Sequence, residues 1–252
     1  YRGDRHTMPI HALEDINFQT WHPSLVGERN GWQFGVSGGY SRRANSVFTH
    51  RYHGTDIEAD LAYCEHIYTL HGYPARIRTT SETESDALLT ALNARGYIPS
   101  EDSLVKTCML NAVDTVAHSD FIMSDTFSDD WLRAYMRYNA IDESLYQSQK
   151  SILLTVSNKF DVCFGRIGEQ AIGLAVCYES HVAFYNIVVN SVYRQQGYGR
   201  AIMQSLMNWA QKQGTQTGIL SVGGTNPSAI KLYDGLGFET RYIYRYWSHQ
   251  NN

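Results

Sequence analysis

The sequence lacks a long apolar run. Its longest apolar stretch, around residues 171–178, is far shorter than the roughly 18 residues that a membrane-spanning helix needs. The polar segment 1–15 contains no hydrophobic stretch of the kind that directs secretion. We therefore expect no membrane partner and a cytoplasmic protein.

An excess of basic charge is also missing. The 252 residues include 21 Lys and Arg against 25 Asp and Glu, which gives a formal net charge of −4. Binding to a nucleic-acid backbone depends on cationic side chains that displace counterions from the phosphates. The composition therefore predicts no nucleic-acid partner.

Metal-binding patterns are absent as well. The four cysteines include no CxxC pair, and the histidines have no regular spacing to cysteines or carboxylates. The residues concerned are Cys64, Cys108, Cys163, Cys177, His50, His53, His66 and His71. We expect reduced cysteines, histidines on the surface and no metal.

The C-terminal half shows alternating strand and helix patterns. Apolar residues at 202, 203, 206, 207 and 210 recur at helical spacing and stop at Gly214. Asn226 before Pro227 is a typical helix start, and Gly235 and Gly237 follow where a short helix would end. The predicted strands cover residues 161–167 and 172–179 as a hairpin, and then 183–189, 218–222 and 241–247.

The N-terminal half repeats this order. One offset of 141 residues pairs Gly96 with Gly237 and Tyr52 with Tyr193, and it also pairs residues 45–48 with 186–189. A single offset that serves a whole half indicates an internal repeat. The sequence therefore predicts two similar halves joined near residues 108–118.

A glycine-containing loop lies between the strand at 183–189 and the helix that ends near Gly214. Residues 194–199 would place backbone N–H groups at a helix N-terminus, where phosphate oxygens bind. A tight turn without a ligand would use the same glycines. A dinucleotide-binding fingerprint is excluded, because Ile202 occupies the position of its third glycine.

Two segments together resemble the GNAT superfamily of acyl-CoA-dependent N-acyltransferases. Residues 194–199 match its R/Q-x-x-G-x-G/A loop, and residues 226–238 match its N-x-x-A-x-x-L-Y-x-x-x-G-F segment. Upstream, residues 31–34 and 39–47 are similar to the first half of tandem GNAT proteins, in which a degenerate copy precedes a working one. The resemblance implies an α/β fold, layered as in α+β proteins, with two tandem GNAT-like domains. Each would be a mixed, mostly antiparallel sheet flanked by helices, with residues 8–112 degenerate and residues 113–252 catalytic.

The resemblance also implies roles for individual residues, with acetyl-CoA as co-substrate. Backbone groups of the strand would hold the pantetheine arm, loop amides would hold the pyrophosphate, and Asn226 would contact the CoA arm. Tyr233 would be the general acid that protonates the departing thiolate. The cofactor-binding residues implied in this way are Ile187, Val188, Val189, Arg194, Gln195, Gln196, Gly197, Tyr198, Gly199, Arg200 and Asn226.

The general base stays open at this point. Many GNAT enzymes carry a glutamate on the fourth strand, but residues 182–190 contain no carboxylate. Glu179 and His181 are the nearest candidates, although both are more typical of a strand end on the surface. A water chain or an amine that binds already neutral would remove the need for either.

The predicted function is direct transfer of an acetyl group from acetyl-CoA to a primary amine of a small molecule. The alternative is a non-catalytic acyl-CoA-binding or regulatory module. The acidic net charge favours a cationic acceptor. Arg42 and Arg43 could bind an acidic substrate or a phosphate, although a solvated pair of charges at a strand start is the expected case. Tyr242, Tyr244 and Tyr246 share one face of a strand and either line an acceptor pocket or pack against the other half. The sequence leaves the oligomeric state open.

The N-terminal copy is expected not to bind CoA in the same way. The offset places Asp56 and Glu58 opposite Gly197 and Gly199, so two carboxylates would stand where a pyrophosphate should bind. Leu92 stands opposite Tyr233 and offers no hydroxyl. We expect this half to be a structural partner that forms one wall of the acceptor cleft.

Overall fold

The computed structural model describes residues 8–249, which form seven α-helices and twelve β-strands. The helices are α1 (Ile10–Thr20), α2 (Ile57–Leu70), α3 (Asp86–Ala94), α4 (Asp129–Tyr138), α5 (Tyr146–Lys159), α6 (Tyr198–Lys212) and α7 (Pro227–Gly235). The strands are β1 (Leu25–Arg29), β2 (Trp32–Val36), β3 (Val47–Phe48), β4 (Ile77–Thr80), β5 (Ile98–Pro99), β6 (Ser103–Met109), β7 (Phe121–Ser124), β8 (Val162–Ile167), β9 (Ala171–Tyr178), β10 (His181–Val189), β11 (Thr217–Gly223) and β12 (Glu239–Ser248). Residues 1–7 and 250–252, to which parts of the secretion and domain predictions refer, lie outside the described residues. The described part contains no helix that is both long and apolar enough to cross a membrane.

The strands and helices predicted for the C-terminal half are all present. The apolar residues spaced along α6 are buried, as their helical periodicity predicts. The Asn226 side chain accepts a hydrogen bond from the backbone N–H of Ala229, 3.1 Å away, and so caps α7 at its start. The predicted hairpin is the antiparallel pair β8 and β9. These elements confirm the α/β fold class.

The two halves share one sheet because they exchange their last strands. Its strand order is β1-β2-β3-β4-β12-β6-β11-β10-β9-β8-β7, with β5 beside β12. The C-terminal strand β12 pairs antiparallel with β4 of the N-terminal half, while β6 of the N-terminal half pairs antiparallel with β11. The exchanged strands β12 and β6 also pair with each other. Each half therefore completes the sheet of the other.

The internal repeat is visible in the element bounds. The 141-residue offset relates the first residues of α2 and α6 and both ends of α3 and α7. It also places β2 within β9 and β4 onto β11. From β1 and from β8 onward the two halves thus have the same order of elements, apart from the extra strand β5, while a domain boundary between residues 112 and 113 stays a prediction.

Helices cover both faces of the sheet. On the face that we call the α6 face, Ile202 and Leu206 of α6 pack with Phe184 and Phe238. On the opposite face, called the α1 face, Leu13 and Ile16 of α1 pack with Val105, Ile219 and the tyrosines of β12. Helices α4 and α5 cover the same face further along, over β8, β9 and β10.

Candidate functional site

A cleft opens between the parallel strands β10 and β11. The two strands pair only from His181 to Ala183, opposite Thr217 to Ile219. Beyond that point β10 contains a β-bulge between Tyr185 and Val188, and Asn186 within it has a φ of +53°. Within residues 8–249, no strand pairs with β10 on this side after Ala183. The backbone of Ile187, Val188 and Val189 therefore borders the opening.

The N-terminus of α6 lies beside the end of β10 and is free to bind an anion. Gly197 precedes the helix with a φ of +87°, and Gln195 has a φ of +61°. No side chain caps this helix, and its first turn contains no acidic residue. In the described chain, the backbone N–H groups of residues 195–200 donate to no acceptor. Such uncapped amides at a helix N-terminus form a binding site for phosphate oxygens.

Close packing joins the end of β10, the start of α6 and α7. A Cβ at Gly199 would lie 3.1 Å from Cδ2 of Leu232 on α7 and 3.7 Å from Cγ2 of Val189. The Arg200 guanidinium donates to the carbonyl oxygen of Gly235 at the end of α7, 2.8 Å away. Of the predicted cofactor-binding residues, Arg194, Gln196 and Tyr198 lie on the loop and first turn of α6, and Asn226 lies at the start of α7. Their contacts with acetyl-CoA stay a prediction.

Tyr233 lies in the last turn of α7 and is buried on the α6 face. Its ring packs edge-on against Phe238, with 6.1 Å between the ring centroids. Burial raises the pKa of its phenol to about 12, so the hydroxyl keeps its proton at neutral pH. Lys106 of the exchanged strand β6 supports this helix, with Nζ 2.8 Å from Oδ1 of Asp234.

The two proposed candidates for a base lie away from the bulge. Glu179 is exposed in the turn between β9 and β10, with a φ of +52°. His181 begins β10, about 16 Å before Asn186 at roughly 3.3 Å per residue. Burial lowers the pKa of His181. Both residues therefore lie before the bulge, and His181 is in the short paired segment of β10 that ends at Ala183.

Buried polar atoms without partners gather around the separation of β10 and β11. Across the described chain, six buried side-chain nitrogen or oxygen atoms have no hydrogen-bond partner. Three of these six are Asn186 Nδ2 in the bulge, Ser221 Oγ on β11 and Arg43 Nε. A buried polar atom is normally paired, and Asn186 and Ser221 lie on the two strands that separate here. Sequence reasoning missed Asn186 and Ser221, since no local pattern distinguishes them, and it offered Arg43 only as an alternative to a solvated charge.

The three tyrosines of β12 lie on the α1 face, as their spacing predicts, and all three are buried. The Tyr242 hydroxyl donates to Glu14 of α1 and accepts from Asn17 Nδ2, 3.2 Å away. The Tyr246 hydroxyl accepts from Arg78 of β4, also at 3.2 Å. Tyr242 and Tyr246 therefore pack against the other half, which was one of the two alternatives.

The N-terminal copy closes the equivalent helix end with its own side chains. Asp56 Oδ1 accepts a hydrogen bond from the N–H of Ala59 in the first turn of α2, 3.0 Å away. Glu58 pairs with Arg95, with 2.8 Å between Oε2 and Nη2. Leu92 is fully buried at the position equivalent to Tyr233. A cavity of about 340 Å³ remains beside this helix end, lined partly by Trp32, Thr49, His50, Thr80 and Leu88.

His50 corrects one expectation from the sequence. It is 2% exposed rather than on the surface, and its Nε2 lies 2.7 Å from Oδ1 of Asp15. Burial there follows from the 45–50 segment, which is buried throughout. The other three histidines of the group are exposed as expected, and residues 8–249 contain no cluster of three or more metal-ligating side chains. All four cysteines are free.

Comparisons with known proteins identify the family of this chain. The family described as "Probable histone acetyltransferase Rv0428c C-terminal" matches residues 7–247. The ribosomal protein bS18-alanine N-acetyltransferase of Escherichia coli K12 is 37% identical over 81 residues, which are 32% of this chain and 53% of that protein. The chain thus spans about half the length of this relative. The uncharacterized N-acetyltransferase YobR of Bacillus subtilis 168 is 21% identical over 237 residues, 91% of this chain and 94% of that one.

The fold is also similar to solved structures. A GCN5-related N-acetyltransferase from Kribbella flavida superposes with a TM-score of 0.69 at 12% identity, covering 98% of each chain. Such low identity shows the fold and leaves the substrate open.

Proposed function

Because the chain belongs to the Rv0428c C-terminal family, and with it to the GNAT N-acetyltransferases, we propose that it transfers an acetyl group from acetyl-CoA to a primary amine of a small molecule. The observation that supports the donor is the uncapped N-terminus of α6 beside the open edge of β10. The free amides at the helix end can bind the pyrophosphate of CoA. The unpaired strand edge can bind the amide groups of its extended pantetheine arm. The N-terminal copy has neither the free helix end nor a tyrosine at the equivalent position.

The residues of the chain have separate tasks in this proposal. The amides of residues 195–200 bind the pyrophosphate, while the backbone of Ile187 and Val189 and the Asn226 side chain hold the arm. The amine nitrogen attacks the thioester carbon, the C–S bond breaks, and Tyr233 gives its proton to the leaving sulfur. Tyr233 regains a proton when the amine product loses one.

A covalent acyl-enzyme is disfavoured by the cysteines. Burial raises the pKa of Cys163 and of Cys177 to about 12, and the pKa of Cys108 to about 11. A thiol acts as a nucleophile only as thiolate, and these thiols keep their protons at neutral pH. Direct transfer within a complex of enzyme, donor and acceptor is therefore the better account.

The test of this function is thiol release from acetyl-CoA across a panel of small amines and, in parallel, protein substrates. Release with small amines is expected. The relative from E. coli is named for acting on a ribosomal protein, so release with proteins alone would replace the small-molecule acceptor by a protein. Tight CoA binding without release in either series would support the non-catalytic module instead.

Gly197→Glu is expected to weaken CoA binding about 10–100-fold. The position has a φ of +87°, which a side chain adopts only with strain of about 1–3 kcal/mol, and the new carboxylate would face the phosphates. Calorimetric titration with CoA measures the change. The matched control is Gly214→Glu at the other end of α6, where φ is +83° and a Cβ likewise meets nothing within 4 Å. Equal CoA affinity in both folded variants would place the pyrophosphate elsewhere.

One CoA per chain is expected at saturation. The carboxylate of Asp56 already caps α2, so an added pyrophosphate would meet a filled and negatively charged helix end. Asp56→Ala should leave the affinity and stoichiometry for CoA unchanged, since it acts on the copy that does not bind. A stoichiometry of two would show that the N-terminal copy is a working site.

A further inference from the structure

We propose that Arg43 binds a carboxylate of the acceptor, so that the substrate is a small molecule with both a primary amine and a carboxylate, as in amino acids. This inference rests on the proposed function and names its substrate class. Arg43 comes from the N-terminal half and lies against the bulged strand of the C-terminal half. The expected solvated pair of arginines is therefore correct for Arg42, which is exposed, and wrong for Arg43.

Arg43 has no counter-ion. Its guanidinium carbon lies 4.8 Å from the ring centroid of Tyr185 and 5.9 Å from that of Trp21. Nowhere between residues 8 and 249 does its side chain form a hydrogen bond or an ion pair, and Nε is buried without a partner. Desolvating a guanidinium without a partner is unfavourable, and a planar fork of donors is well matched to a carboxylate.

The loop that carries Arg43 is held in place before any ligand binds. The Asn45 side chain forms hydrogen bonds with the backbone of three residues of this loop. Its Oδ1 accepts from Ser37 N at 2.7 Å and from Gly39 N at 3.0 Å, and its Nδ2 donates to Ser37 O and Ser41 O. The Ser41 hydroxyl in turn accepts from Trp21 Nε1, 2.9 Å away. Arg43 therefore sits on a rigid turn, which lowers the entropy lost on binding.

The charge around Arg43 is positive in spite of the acidic chain. Arg78 lies close enough to interact with it, but Glu14 binds Arg78 with both oxygens, at 2.6 and 2.7 Å. Arg43 is thus the uncompensated charge. Burial alone would raise the pKa of Tyr244, yet Arg78 and Arg43 together lower it to about 8. The acidic net charge of the protein favoured a cationic acceptor. The electrostatic potential at this position is set by the nearest charges, however, and these are positive.

The position of Arg43 suits an acceptor. Tyr185, on which its guanidinium lies, directly precedes Asn186 in the bulge. On the α1 face the cleft therefore has Arg43 at one side and the unpartnered Ser221 hydroxyl at the other. A carboxylate bound by Arg43 would direct an amine on the same small molecule toward the opening between β10 and β11. A polypeptide N-terminus would bring an amide in place of that carboxylate.

The experiment compares free acids with their carboxamides. The acceptors are α-, β- and γ-amino acids, each as the free acid and as the matching primary amide. Each acceptor is assayed with acetyl-CoA and one of three enzymes: wild type, Arg43→Gln or Arg42→Gln. For at least one acid and amide pair, the kcat/KM of wild type should be about 10–100-fold higher for the acid. This is the size of effect that a charge-assisted bidentate hydrogen bond contributes. Arg43→Gln should remove the preference by raising KM for the acid, while kcat/KM for the amide and the Kd for CoA stay the same. Arg42→Gln should behave as wild type.

The outcomes separate the two proposals. Acetylation of acids and amides at equal rates by wild type would overturn the role of Arg43 and leave the proposed function standing. A loss in Arg43→Gln that is equal for both members of each pair would assign Arg43 to packing on Trp21 and Tyr185 only. Absence of thiol release with every amine of the panel would overturn the small-molecule function together with this inference.

Discussion

Tyr233→Phe is expected to lower kcat by about 10²–10⁴, the usual effect of losing a positioned general acid. Without the hydroxyl, the thiolate must leave CoA unprotonated or take its proton from water. The hydroxyl donates to no acceptor in the described structure and the ring is packed by Phe238, so a phenylalanine fits with little loss of stability. CoA affinity should therefore stay close to that of wild type. Single-turnover kinetics at saturating acetyl-CoA measure the step itself.

Tyr63→Phe is a suitable control, since this tyrosine is 38% exposed on α2 of the N-terminal half. It should keep the wild-type rate. The pH dependence provides a second check, because the pKa of Tyr233 is about 12 and its proton is present throughout the neutral range. No loss of rate below about pH 10 should come from this group. Equal rates in wild type and Tyr233→Phe would exclude the general-acid role.

Local patterns were sufficient to predict the elements around this site. Helix α7 runs from Pro227 to Gly235 as predicted, because a capping asparagine, a proline at the first position and glycines at the end all act within one short segment. The apolar spacing of α6 was equally informative. The offset of 141 residues also relates the start of α2 to the start of α6 and both ends of α3 to those of α7, because a repeated sequence forms the same elements twice.

The strand exchange could not be predicted from such patterns. Strand β12 has the alternation that is typical of a strand, whereas β6 has none, and alternation in any case does not identify the neighbour of a strand. Their placement depends on pairing between residues more than 100 positions apart, as for Lys106 opposite Leu220. For the same reason the sequence could offer acid binding by Arg42 and Arg43 only as an alternative to a solvated pair. The contacts that distinguish Arg43 are with Trp21 and the distant Tyr185.

The exchange makes the two halves depend on one buried ion pair. Glu14 of α1 and Arg78 of β4 are 1% and 0% exposed in their side chains, with 2.6 Å between Oε1 and Nη2. The pair also binds β12, through Tyr242 to Glu14 and through Arg78 to Tyr246. It therefore joins a helix and a strand of the N-terminal half to the strand contributed by the C-terminal half.

Glu14→Gln is expected to destabilise the protein by about 3–5 kcal/mol, because it leaves the Arg78 charge buried without a carboxylate. For a chain of this size that corresponds to a fall in Tm of about 10 °C. The same substitution in the exposed pair of Arg133 and Glu143, Glu143→Gln, should leave the Tm close to that of wild type, because solvent screens this pair. Thermal unfolding of the three proteins at neutral pH measures the comparison.

The pH dependence of this difference tests its electrostatic origin. Burial alone would raise the pKa of Glu14, but Arg78 outweighs burial and the pKa lies below its ordinary value. The carboxylate therefore stabilises the fold above the pKa of an unfolded glutamate, about 4.3, and this contribution is lost as the pH falls through the folded value. The gap between wild type and Glu14→Gln should narrow below about pH 4. Because β12 lies between β4 and β6, both halves should also unfold in one transition in each protein. A Tm within 2 °C of wild type for Glu14→Gln, or a separate early transition of one half, would contradict the view that this pair holds the exchanged strand in place.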